Sequence, residues 1–312
     1  MGRLSCTHLL TLSSFTRRDI LEVLNLAEEL KQKQKAGVRH ELLPGKVIAL
    51  LFEKPSTRTR VSFEVGIRQL GGHSLYLTPR ELQLSRGETL ADTARVLSRY
   101  VDALVARVYR HETLEELARY ATIPVINALS DRYHPCQAIA DVFTIKEVKG
   151  GFKGVKVAYV GDGNNVCNSL LIACSLVGLD IWVACPKGYE PLEEAVKVAL
   201  KNARESGSTV KITHSPVEAV KDADVIYTDV WVSMGQEEER EKRLKVFPPY
   251  QVNRKLVSYA KGDYVFMHCL PAHRGEEVTD EIIDDEKHSI VWEQAENRLH
   301  TQKALLVLLL GS

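Results

Sequence analysis

The chain's 312 residues exceed what one hydrophobic core usually holds, so two domains of roughly 150 residues each are expected, and an apolar fraction of 45% suffices to fill both. Forty-one basic residues balance forty-one acidic ones. A formal net charge of zero excludes a broad electrostatic grip on nucleic acid or on an anionic membrane, so any anion must be captured locally.

The chain opens with a predicted helix: Thr16 with Asp19 three residues later forms a capping-box pattern, and Ile20, Leu24 and Ala27 follow at helical spacing. Apolar, β-rich runs at 47–52, 74–77, 102–108 and 124–127 then alternate with helical patterns near 57–70, 88–100 and 112–120. This βαβ order predicts a mainly parallel sheet covered on both faces. A long helix from about Pro135 to Val148 follows, with proline suited to its first turn, and Lys149, Gly150, Gly151 and Gly154 mark a domain boundary. Strands are expected again near 155–160, 179–184, 210–213, 223–228, 264–267 and 289–292, giving a second doubly wound unit. The mixed-sign run 236–245 reads as a solvated helix or a mobile loop. The expected fold is therefore α/β, with two doubly wound domains at 1–148 and 149–293. The last helix, about 294–310, crosses back so that 294–312 completes the first domain.

The six cysteines (6, 136, 167, 174, 185 and 269) include no CxxC pair, and reduced thiols of a cytoplasmic protein are the simplest reading. The start MGRLSC lacks the hydroxyl residue a myristoylation signal needs, no secretory apolar region follows, and the apolar tail 304–310 is far shorter than the ~20 residues of a membrane span.

Two places carry candidate chemistry. Strand 47–52 runs through Glu53, Lys54 and Pro55 into Ser56, Thr57, Arg58, Thr59 and Arg60, where a helix begins. N–H groups at a helix start, beside hydroxyls and guanidinium groups, form an anion site; the plain alternative is an ordinary cap followed by surface arginines. Arg107 places a cation at a strand's carboxyl end, where open α/β sheets put ligands. His134 by itself is a helix cap, Asp229 a turn former, Cys269 a small buried apolar residue and Arg298 an exposed arginine. The turn from Gly161 to Val166 invites a dinucleotide reading, as in a nucleotide-dependent oxidoreductase. It fits poorly, because Val166 replaces the third glycine and strand 179–184 ends in Ala184 and Cys185 without a ribose-binding acid.

Four runs in one order, PSTRTR (55–60), HPCQ (134–137), DVWVSMG (229–235) and HCLP (268–271), resemble motifs of the aspartate and ornithine carbamoyltransferase family, and the resemblance spans almost the whole chain. It implies that Ser56, Thr57, Arg58 and Thr59 hold the phosphate of carbamoyl phosphate and that Arg107 reaches both phosphate and carbonyl oxygen. His134 and Gln137 would meet the carbonyl oxygen and the amide of the carbamoyl group, Arg298 would add a carbonyl-oxygen contact, and Gln83 would enter a neighbouring subunit's site. On the acceptor side it implies Asn165 and the backbone of Met234 for the α-carboxylate, Asp229 and Ser233 for the α-amino group, Cys269 against the side-chain amine and the Leu270 carbonyl on the carbamoyl amide. Aspartate-using members carry leucine where this chain has Cys269, so the resemblance points to ornithine as acceptor and to citrulline and phosphate as products. A homo-oligomer, a trimer or an assembly of trimers, is implied too. No cofactor is expected, and no metal, because the histidines and cysteines lack ligand spacing. A sister enzyme acting on putrescine would keep the phosphate site and alter DVWVSMG.

Overall fold

The computed structural model describes residues 4–233 and 235–311. Contacts divide the chain into two compact units, one running to Ala140 and resuming at Glu296, the other Asp141–Ala295. Both divisions fall inside helices.

In the first unit, α1 (Arg17–Lys35) begins at the expected capping box: Thr16 Oγ1 accepts the Asp19 N–H at 3.2 Å, and Asp19 accepts the Thr16 N–H at 2.7 Å. Then follow β1 (Val47–Phe52), α2 (Thr57–Gln69), β2 (His73–Leu77), α3 (Leu90–Tyr100), β3 (Ala103–Arg107), α4 (His111–Tyr120), β4 (Val125–Leu129) and α5 (Pro135–Lys149). The strands pair in parallel in the order β2-β1-β3-β4. VIALLF and ALVAR occupy the middle because they are apolar on both faces, as a sheet covered on both sides demands. The chain leaves β1 towards one edge and returns to β3 on the other side, so the topological switch lies between β1 and β3.

The second unit contains β5 (Lys156–Val160), α6 (Asn165–Val177), β6 (Asp180–Ala184), α7 (Glu193–Ser206), β7 (Val210–Thr213), α8 (Pro216–Val220), β8 (Val225–Thr228), α9 (Arg240–Val246), α10 (Arg254–Val257), β9 (Val265–His268) and α11 (Asp280–Ile283). Its parallel order is β7-β6-β5-β8-β9, with the switch between β5 and β8. The strand expected at 289–292 does not form. Ser289 makes a single bridge to Phe266, and the Ile290 carbonyl already accepts the Gln294 N–H at 3.0 Å, opening α12 (Val291–Leu310). Ile290 and Val291 imitate a strand in composition, yet Val291 is buried as part of a helical turn. From Glu296 onward α12 belongs to the first unit, where Ala304, Leu305, Leu306 and Val307 are buried. Among the described residues no helix is long and apolar enough to cross a membrane.

Candidate active site

At the switch of the first sheet β1 and β3 end side by side, with Phe52 opposite Arg107 and the Glu53 N–H donating to the Arg107 carbonyl at 2.9 Å. The chain turns directly into α2, capped by Ser56, whose Oγ accepts the Thr59 N–H at 3.3 Å. The first N–H groups of a helix lack intrahelical acceptors and carry its positive dipole end, so this turn offers donors to an anion. Ser56 and Arg58 are half-buried, Thr57 is exposed and Thr59 is buried.

Arg298 arrives from α12 and is not the exposed arginine that its position in the sequence suggests. It is buried, with Nη1 donating to Gln137 Oε1 at 2.6 Å and Nη2 donating to Thr59 Oγ1 at 3.1 Å. His134, buried just ahead of α5, has its pKa held well below 6.5, first by burial and then by the positive charges of Arg298, Arg107, Lys54 and Arg58. The imidazole is neutral at pH 7, and four cations face it. Such a group of cations suits a multiply charged anion.

Lys54 was passed over in the sequence. It is 4% exposed, and its Nζ lies 5.0 Å from the ring centroid of Tyr109. The available signal was a lysine immediately past a buried central strand. Cys136 is a packing residue: its Sγ donates to the Asn127 carbonyl at 3.4 Å, and burial pushes its pKa up to about 12. Gln83 is not brought to this cluster; it is exposed at the start of a 3-10 turn, Gln83–Arg86.

At the second switch, between β5 and β8, the Gly161–Asn165 turn faces Asp229. Gly163 must be glycine, since a Cβ there would lie 2.3 Å from the Pro191 nitrogen. Asn164 caps α6 by accepting the N–H groups of Val166 and Cys167 at 3.0 and 3.1 Å, and its Nδ2 donates to Asp229 Oδ2 at 2.8 Å. Sequence reasoning chose Asn165, whose Oδ1 accepts the Val166 N–H at 2.9 Å. Asn164, which the sequence leaves unassigned, is the asparagine bonded to Asp229, and a cap preceding a helix was the available signal for it.

Cys269 Sγ donates to Asp229 Oδ1 at 3.0 Å, joining the ends of β8 and β9. Next to it, Leu270 holds a left-handed φ of 59°, fixed by its N–H donating to His268 Nδ1 at 2.8 Å. Because Nδ1 accepts, the ring proton sits on Nε2 and donates to Glu277 Oε1 at 3.1 Å. Ligand atoms of Asp229, His268 and Cys269 lie within 4.8 Å of one another, a donor set that could hold a cation and that chain spacing does not reveal. Both ring nitrogens of His268 are already hydrogen-bonded, so coordination would require one of these bonds to break.

Ser233 is half-buried after β8, and its carbonyl accepts the Gln236 N–H at 3.0 Å. Met234 lies outside the described residues. The charged run beyond it is more anchored than a solvated helix: in α9, Arg243 Nη1 donates to Asp162 Oδ2 and to the Trp231 carbonyl, both at 2.8 Å. Burial raises the Asp162 pKa to about 6 while Arg243 opposes the rise.

Comparison with known proteins identifies relatives of the whole chain. Residues 7–147 match the family described as aspartate/ornithine carbamoyltransferase, carbamoyl-P binding domain, and residues 153–309 match the corresponding Asp/Orn binding domain. The chain is 63% identical over 303 residues to an ornithine carbamoyltransferase of Pyrococcus horikoshii, covering 97% of this chain and 95% of that one. It is 61% identical over 302 residues to the Bacillus subtilis ornithine carbamoyltransferase, covering 97% and 93%. The solved ornithine carbamoyltransferase from Pyrococcus furiosus superposes with a TM-score of 0.96 at 61% identity, over 100% of this chain and 99% of that one. Two parallel sheets with ligand-type side chains at both switch points, and matches along almost the entire length, lead to one assignment: the chain belongs to the aspartate/ornithine carbamoyltransferase family.

Proposed function

We propose that this enzyme transfers the carbamoyl group of carbamoyl phosphate to the δ-amine of L-ornithine, releasing L-citrulline and phosphate. The observation that carries the reading is the gathering of Arg58, Arg107, Arg298 and Lys54 on one neutral histidine, a place for a doubly ionised donor. The Cys269–Asp229 pair and relatives named for ornithine favour a cationic acceptor. The first unit is the donor domain and the second the acceptor domain.

Ser56, Thr57, Arg58 and Thr59 hold the phosphate, with Gln83 supplied by a neighbouring subunit of a trimer or an assembly of trimers. Arg107, His134 and Arg298 meet the carbonyl oxygen, and Gln137 with the Leu270 carbonyl holds the amide. Asn165, Asp229, Ser233 and Met234 hold the amino-acid end of ornithine, and Cys269 lies against the δ-amine. That amine, with an intrinsic pKa of roughly 10, must first lose its proton. Its nitrogen lone pair then attacks the carbonyl carbon, and negative charge develops on oxygen. Each preorganised donor there is worth roughly 10² to 10³ in rate. Collapse breaks the carbon–oxygen bond to phosphate, which leaves with that bond's electrons and takes up the proton that the attacking nitrogen sheds, while the proton lost before attack passes to solvent. Alignment and electrostatics carry most of the rate, without a covalent enzyme intermediate. The cytoplasm is the compartment that suits six cysteines held outside any disulfide.

The test is citrulline formation from carbamoyl phosphate, with ornithine, aspartate, putrescine and N-acetylornithine compared as acceptors. Ornithine should lead by a wide margin. Preference for any other amine would overturn the acceptor assignment.

A further inference from the structure

Gln294, in the first turn of α12, is buried in a small closed network of the second unit. Its Nε2 donates to Asp141 Oδ1 at 2.7 Å and to Tyr227 Oη at 3.1 Å, and the Tyr227 hydroxyl donates to Asp141 Oδ2 at 3.1 Å. On the other side its Oε1 accepts the His268 N–H at 2.9 Å. Asp141, Tyr227, His268 and Gln294 are all at most 1% exposed. The position needs a group that donates to a carboxylate and accepts from an amide at once, which a side-chain amide does.

The network lies where it matters for chemistry. Tyr227 precedes Asp229 by two residues and His268 precedes Cys269 by one, on adjacent strands in which Tyr227 pairs with Met267 and Thr228 with His268. We propose that Gln294, itself held by Asp141, is a positioning residue that sets the spacing of Asp229 and Cys269 at the ends of β8 and β9 and, through His268, the aim of the Leu270 carbonyl. This rests on the assignment of Asp229, Cys269 and Leu270 to the acceptor side made above. A displacement of about 1 Å at reacting groups costs on the order of 100-fold in rate, so a group that fixes this spacing is expected to be as sensitive as a group that touches substrate.

The experiment uses the full-length enzyme with Gln294→Leu, Gln294→Glu and the double variant Asp141→Asn with Gln294→Glu. Gln294→Leu should keep carbamoyl phosphate affinity within about twofold by calorimetry, while kcat/KM for ornithine falls about 100-fold and the alkylation rate of Cys269, followed by peptide mass spectrometry, changes about threefold or more. In Gln294→Glu two carboxyl groups face each other. Activity relative to wild type should therefore fall as pH rises from 6 to 9, when the proton they share is lost. The double variant, in which the introduced amide at position 141 donates to the introduced carboxylate at position 294, should recover about tenfold or more. A folded Gln294→Leu enzyme with wild-type kcat/KM would overturn the proposal. So would a Gln294→Glu enzyme whose loss is independent of pH and is not rescued, and this series decides alone if Gln294→Leu fails to fold. Asp229→Asn and Cys269→Ser are assayed in parallel. If both stay fully active, the acceptor assignment is wrong; if both fail while Gln294 variants work, only the positioning role is wrong.

Discussion

At the scale of single residues, Arg58 and Lys54 contribute differently to the same cluster. Arg58 is half-buried at the second position of α2, so its head group can follow an arriving ligand, whereas Lys54 is buried before one arrives. A charge-assisted hydrogen bond contributes about 1.5–3 kcal/mol. Arg58→Ala should thus weaken carbamoyl phosphate binding by about 10- to 150-fold without altering thermal unfolding, as calorimetry would show. Unchanged affinity would count against the phosphate assignment. The motif residues were visible in the sequence because they crowd into a few positions. Arg298 was legible only through the family resemblance, and Lys54 and Asn164 were not legible at all: an arginine in a helix, a lysine in a turn and one asparagine of a pair have ordinary structural roles, and only the fold shows what they meet.

At the scale of elements, the start of α2 is a structural cap, and under the proposed assignment Ser56 also meets the donor's phosphate. Ser56→Ala removes the acceptor for the Thr59 N–H. The expected loss is ~1 kcal/mol of stability in denaturant titration, together with weaker carbamoyl phosphate binding. Weaker binding at unchanged stability would separate the two roles. Most elements could be located beforehand, since β1 and β3 are continuous apolar runs and Thr16 with Asp19 announces α1. The exception at 289–292 has a physical cause. Short β-branched runs suit a strand and a buried helical turn alike, and backbone pairing with Phe266 stops after one bridge. The anchored state of α9 was hidden for a related reason, because no pattern within QEEEREKRLK shows that Arg243 reaches Asp162 across 81 positions.

At the scale of the molecule, Lys303 shows how the final helix is held within the first unit. Its buried Nζ donates to Gln34 Oε1 at 2.7 Å and Gln69 Oε1 at 2.9 Å and lies 3.0 Å from His40 Nε2, and burial lowers its pKa to about 8. An unfolded lysine keeps its proton up to about 10.5, so between about 8 and 10.5 the unfolded chain binds more protons than the folded one, and stability rises with pH across that window. In Lys303→Met that rise should disappear relative to wild type when unfolding free energies are compared at pH 8 and pH 10. An identical slope in both proteins would show that Lys303 is not its source.

The same helix bears on how the enzyme is made. Arg298 meets Gln137 and Thr59 across 161 and 239 positions of chain, from the segment that follows Glu296. During synthesis every other member of the proposed donor cluster leaves the ribosome long before this arginine exists. A translation product stopped short of Glu296 would carry Asp229 and Cys269 but nothing to bridge Thr59 and Gln137. On the proposed assignment, capacity to bind the donor is therefore the last property a growing chain acquires, and prematurely terminated copies should be unable to sequester carbamoyl phosphate.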